Sequence, residues 1–125
     1  MHENEISAII IDTCYEIHTT LGPGLLESVY EEIICYELTE RGIPFERQKA
    51  VPVIWKNIKM DIGFRPDIIV ADKVVVEIKS VETIAKSHPK ITLTYIRLRK
   101  IKLGLLINFG APVLKEGITR LVNGL

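Results

Sequence analysis

Asp67, Glu77 and Lys79 are the residues of this chain whose types and positions could do chemistry. Pro66-Asp67 leads into Ile68-Ile69-Val70, and Glu77-Ile78-Lys79 ends the apolar run that begins at Val74-Val75-Val76. Charged side chains in an apolar sheet are costly unless they are paired or hold a metal. Alternate side chains of a strand share a face, so Glu77 and Lys79 point the same way. With a three-residue loop, Ala71-Asp72-Lys73, Val70 pairs with Val74 and Asp67 falls across from Glu77, their Cα atoms about 4.5–5.5 Å apart. A two-residue loop would slip the register by one and turn Asp67 to the other face.

Two carboxylates that close repel unless a cation lies between them. Oxygen-only ligands suit a hard divalent ion, Mg²⁺ or Mn²⁺, which keeps several waters. The backbone carbonyl of Ile78 offers a further ligand. Such an ion acidifies a bound water and stabilises charge on a phosphate, and Lys79 beside it could position the water or balance transition-state charge. The competing reading is structural: Lys79 as the buried salt-bridge partner of Asp67 or Glu77. Glu27 adds a helix-borne acid upstream, in a first turn where a carboxylate also favours the helix dipole, with Tyr30 three residues on and on the same side.

The elements that must carry these groups read as two helices, a strand series, a helix and a buried strand. Apolar residues at Ile6, Ile9, Ile10, Ile17 and Leu21 recur at helical spacing from about Glu5, and Gly22-Pro23-Gly24 ends that helix. A second helix runs from about Leu26 to Glu40, with Gly42 as its stop. Phe45 to Trp55 is rich in β-formers, Pro52 marks an edge or bulge, and Lys56-Asn57 is a turn before Ile58–Ile62. Strands at 64–70 and 74–78 precede a helix with Pro89 in its first turn, which reaches about Lys100. Leu103 to Phe109 suits a central strand covered on both faces, and Ile118 to Val122 forms a short last element of open type. The fold class is therefore α/β, a mixed sheet flanked by helices, and residues 1–125 read as a single domain.

The remaining side chains exclude more than they propose. Cys14 and Cys35 sit among apolar neighbours and read as reduced core residues. His18 reads as a cap or packed residue, His88 as a neighbour of a helix N-cap, and Tyr30, Tyr36 and Tyr95 as core residues with hydroxyls at the edge. The chain has no Gly-rich phosphate loop and no zinc spacing. Its longest apolar stretches are too short to cross a bilayer, so no membrane partner is expected and the default location is cytoplasmic. Net charge is zero, yet residues 1–62 hold five Lys/Arg against eleven Asp/Glu, and residues 63–125 hold eleven against five. Cations at Lys86, Lys90, Arg97, Arg99, Lys100 and Lys102 make a basic region able to attract a polyanion.

Several motifs in order then resemble a known family. Gly24-Leu25-Leu26-Glu27-Ser28-Val29-Tyr30 matches a G-x-x-E-x-x-Y signature, followed by Arg65-Pro66-Asp67, Glu77-Ile78-Lys79 and the late strand Leu103–Phe109. The chain resembles the GxxExxY proteins, a branch of the PD-(D/E)xK nuclease-like superfamily. The resemblance implies a restriction-endonuclease-like core and divalent-metal phosphodiester cleavage. Asp67 and Glu77 would be metal ligands, Lys79 the catalytic lysine, and Glu27 the helix-borne acid completing the site. One position departs: the family's glutamine in H-x-A-Q-L-L is Ile91 here.

Two functions follow as expectations. One is a Mg²⁺- or Mn²⁺-dependent nuclease acting on nucleic acid, DNA ahead of RNA. The other is a binding or assembly module that keeps the fold without the chemistry. A homodimer, common in nuclease-like folds, would give a chain this small more surface for a duplex.

Overall fold

The structure, a computed structural model, describes residues 1–125, the side chains of Asp61 and Ile62 apart. Helices α1 (Glu3–Leu21) and α2 (Glu27–Glu40) come first. They are followed by strands β1 (Phe45–Arg47), β2 (Val51–Trp55), β3 (Ile58–Phe64), β4 (Ile68–Val70) and β5 (Val74–Lys79). Helix α3 (Ser87–Arg99) then leads to β6 (Leu103–Asn108), a 3₁₀ turn at Leu114–Gly117, and β7 (Ile118–Val122). The last element, open in the sequence, is an edge strand.

Five strands form a mixed sheet in the order β1-β4-β5-β6-β7, and β2-β3 form a separate hairpin. Only β5 and β6 run parallel, and α3 makes the crossover that a parallel pair requires. The alternation of the strands sorts their side chains between two cores. Ile68, Val70, Val74, Val76, Ile78, Leu103, Leu105 and Ile107 pack against Ile6, Ile10, Cys14, Ile34 and Leu38 of α1 and α2. Ile69 and Val75 face the opposite way, toward Tyr95 and Ile96 of α3 and Val51 of β2. Asp67, Glu77 and Lys79 share the parity of Ile69 and Val75, which puts them on the α3 side.

Local chemistry explains the boundaries. Gly22 ends α1 at φ 72° with its N–H on His18 O. Lys56 and Asn57, at φ 48° and 68°, make the two-residue hairpin turn. Pro52 sits where the β2–β3 register shifts. There Gly63 is obligatory, because a Cβ would lie 2.0 Å from Val51 O. Gly104 lets α3 approach β6, since a Cβ there would sit 3.1 Å from side-chain carbons of Thr92 and Ile96. The stretch 45–55 is not one strand: Gln48 at φ 51° turns the chain between the two sheets. Tyr30 and Tyr95 are core residues as expected, but Tyr36 is exposed. Cys14 and Cys35 are buried and free.

Candidate active site

The β4–β5 loop has three residues, with Val70 opposite Val74 and Ile68 opposite Val76. One pair further on, side chains take over from the backbone ladder. Asp67 N–H donates to Glu77 Oε1 at 2.9 Å, and Ile78 N–H donates to Asp67 Oδ2 at 2.7 Å. The two carboxylates therefore lie side by side, each fixed by the other strand's amide.

Glu77 is only 6% exposed. Burial, with the charge of Asp67 adding to it, pushes its carboxyl up to about 8. Asp67 is also raised, chiefly by burial, against the lowering pull of Ile78 N–H and Gln48. Among the described residues, no ion pair involves Asp67, Glu77 or Lys79. The salt bridge of the structural reading is not formed among the described residues, although the charge of Lys79 acts on both carboxyls and lowers them.

A cavity of about 160 Å³ opens beside the pair, lined by Glu77, Lys79, His88, Ile91, Thr92 and Tyr95. Glu77 and Lys79 thus meet in one cavity, with Asp67 tied to Glu77 at its edge. His88 lies two residues past the α3 N-cap Lys86, as a neighbour of that cap, and it also lines the cavity, with Nδ1 buried and unpartnered among the described residues. Ile91 puts an aliphatic side chain in the same wall.

Glu27 does not enter this cavity. It is exposed, and its Oε2 accepts from Ser80 N–H at 3.2 Å in a separate depression lined also by Leu25, Leu26 and Ser28. Ser80 Oγ donates to Leu25 O at 2.6 Å. Tyr30 supports that loop: stacked on Phe109 at 4.1 Å, its hydroxyl donates to Gly22 O and accepts from Leu25 N–H. The G-x-x-E-x-x-Y segment therefore braces the exit of β5 just beyond Lys79.

The α2 acid that adjoins the pair is Glu31, one turn further along. It is buried, and its charge raises both Asp67 and Glu77. Arg47 donates to its Oε2 through Nε and Nη2 at 3.1 and 2.8 Å. Gln48 Nε2 spends its two hydrogens on two acids, Glu31 Oε1 at 3.0 Å and Asp67 Oδ1 at 3.1 Å, while its main-chain N–H donates to Asp67 O. Asn108, buried in the apolar β6, grips Val81 N–H and O. It fixes the chain that follows Lys79, its partner in register.

A hard divalent cation suits this donor set. Two adjacent carboxylates are available, the Ile78 carbonyl follows Glu77, and the cavity has room for retained waters. Among the described residues, no three His, Cys, Asp or Glu side chains converge into a closed metal cage. Mg²⁺ needs none, since one or two carboxylates and water suffice.

A mixed sheet flanked by helices, with an acidic pair and a lysine on adjacent strands, defines a restriction-endonuclease-like core. A family profile described as PD-(D/E)XK nuclease superfamily matches residues 4–121, and the chain belongs to that superfamily. The Gly24–Tyr30 signature is consistent with its GxxExxY branch. No curated protein and no solved structure matches the chain. Membership supports a nuclease-like function. No helix among the described residues is long and apolar enough to cross a membrane.

Proposed function

We propose that the chain hydrolyses phosphodiester bonds in nucleic acid, DNA ahead of RNA, with Mg²⁺ or Mn²⁺ as cofactor. The observation that supports this reading is the pairing of buried Glu77 with half-buried Asp67, neither in a salt bridge among the described residues, beside a cavity that Lys79 also lines. Asp67 and Glu77 would hold the ion, with the Ile78 carbonyl as a further ligand. When bound, such an ion offsets charge on the phosphate and acidifies a water. Lys79 supplies a fixed positive charge beside the reacting phosphate. His88, with its Nδ1 buried and unpartnered, stands in the same wall, and Ile91, Thr92 and Tyr95 limit access of bulk water. Glu27 acts at one remove, holding the Ser80 amide and with it the Lys79 backbone.

Cleavage of single-stranded, duplex, branched and flapped DNA, and of RNA, tests the proposal. Mn²⁺-dependent nicking is expected, lost by at least a hundred-fold in Asp67→Ala and Lys79→Ala variants with unchanged circular dichroism. Ile91 favours a second reading, in which the chain binds nucleic acid without cutting it, because its aliphatic side chain offers no polar group at that position to orient a water. Mn²⁺ calorimetry separates the two. Binding abolished by Glu77→Gln supports the enzyme, and no heat with the wild type supports the module.

A further inference from the structure

The β2–β3 hairpin stands outside the central sheet, and its distal half is unusually apolar for an exposed ribbon. Trp55 pairs with Ile58, and Val53 with Met60, so these four side chains share one face. Trp55 and Ile58 are 61% and 60% exposed, and Met60 and Ile54 are exposed as well. Lys56 lies in the turn, its Nζ 5.6 Å from the Trp55 ring centre, whereas Lys59, opposite Ile54, is on the other face of the ribbon. Residues 51–60 contain no Asp or Glu. Neither Lys56 nor Lys59 is in an ion pair among the described residues.

The root of this ribbon is held firmly. Val51 and Phe64 pair at its base, Val51 packs against Ile69 and Val75, and Phe64 meets Tyr95 edge-on at 5.1 Å. Tyr95 lines the Glu77 cavity, and Asp67 follows Phe64 by three residues. Trp55 lies four residues beyond Val51, about 13 Å along the strand. The arm thus projects from the rim of the candidate active site.

We propose that this hairpin is a nucleic-acid-contacting arm: Trp55 stacks on an unpaired base, and Lys56 in the turn meets the adjoining phosphate. The inference rests on the nuclease reading and assigns it a single-stranded or locally opened substrate. A flat aromatic surface beside a cation matches a base beside its phosphate. The same charge disfavours a second copy as occupant, because a two-fold contact through the Trp55 faces would bring the two Lys56 side chains together.

Trp55 is the chain's only tryptophan, so its emission reports on the arm alone. The experiment titrates metal-free protein, in which cleavage does not run, with a thymidine oligonucleotide. It follows Trp55 emission together with the anisotropy of a labelled copy. Quenching in step with binding is expected. Trp55→Ala should weaken binding roughly ten- to hundred-fold, with Trp55→Phe in between. Lys56→Ala should reduce the salt slope by about 0.7.

Anisotropic binding with unchanged emission and full affinity in Trp55→Ala would overturn the arm and leave the nuclease reading intact. A dimer by sedimentation that Trp55→Ala dissociates would also overturn it, in favour of a second copy. Absence of oligonucleotide binding refutes the arm in any case. If Asp67 and Glu77 then bind no Mn²⁺ either, the nuclease reading falls with it.

Discussion

Gln48 shows how a single side chain can govern the candidate site without entering it. Its amide links Asp67 to Glu31, and its own backbone is held in a left-handed conformation uncommon for a residue with a side chain. Gln48→Ala should free Asp67 to rotate and leave Glu31 short of a donor. Mn²⁺ affinity is expected to fall about 10–100-fold, the usual cost of losing a group that orients a metal ligand, while the melting temperature changes by only a few degrees. Calorimetry and a thermal melt on the same preparation check both halves. Equal affinity in the variant would mean that Asp67 is held well enough by Ile78 alone. None of this was visible in the sequence. A glutamine beside a charged strand end looks solvated, and Glu31 on an acidic helix cannot be told from Glu32 or Glu37 until the sheet shows which way α2 faces.

At the scale of elements, the sequence was most informative where pattern and turn chemistry agreed. The apolar runs around Ala71-Asp72-Lys73 and the charges interrupting them narrowed the β4–β5 register to two choices, and the structure takes the three-residue loop that brings Asp67 beside Glu77. They could not show that 45–55 divides between two sheets, because the break is made by one residue with no turn signature. Nor could Glu27 be told from Glu31, both being acids on one side of the same helix. Asn108 carries a comparable lesson, since a lone polar residue ending an apolar strand hides three hydrogen bonds. Asn108→Ala orphans Val81 N–H and O in a part-buried position. It should cost about 3 kcal/mol, at roughly 1 kcal/mol per bond. Urea unfolding measures that loss, and cleavage should fall further than stability explains, because the segment behind Lys79 loosens. A midpoint equal to wild type would show that water replaces the amide at no cost.

The whole molecule carries the acidic pair as a pH-dependent liability. The folded-state value of Glu77, about 8, lies above the ordinary 4.5. Between those limits the native chain keeps a proton that the unfolded chain releases, so stability falls as pH rises from about 4.5 to 8 and levels off beyond. The slope from this one group is roughly 1 kcal/mol per pH unit. Glu77→Gln should remove that component, making the metal-free variant more stable than wild type at pH 8 and similar near pH 4. Mn²⁺ favours the carboxylate, so it should raise the wild-type melting temperature more at pH 8 than at pH 6, and not raise that of Glu77→Gln. Melts across this range with chelator and with Mn²⁺ test the three statements together; parallel profiles for the two proteins would contradict the assignment. Gly104 has a consequence on the same scale. Because nothing projects from that position, the crossover helix rests directly on the sheet, and a missing methyl acts as the spacer that sets the depth of the cavity beside Glu77. Alanine there would lift the helix by a few tenths of an ångström and widen the opening for bulkier polymers without altering any group that reacts.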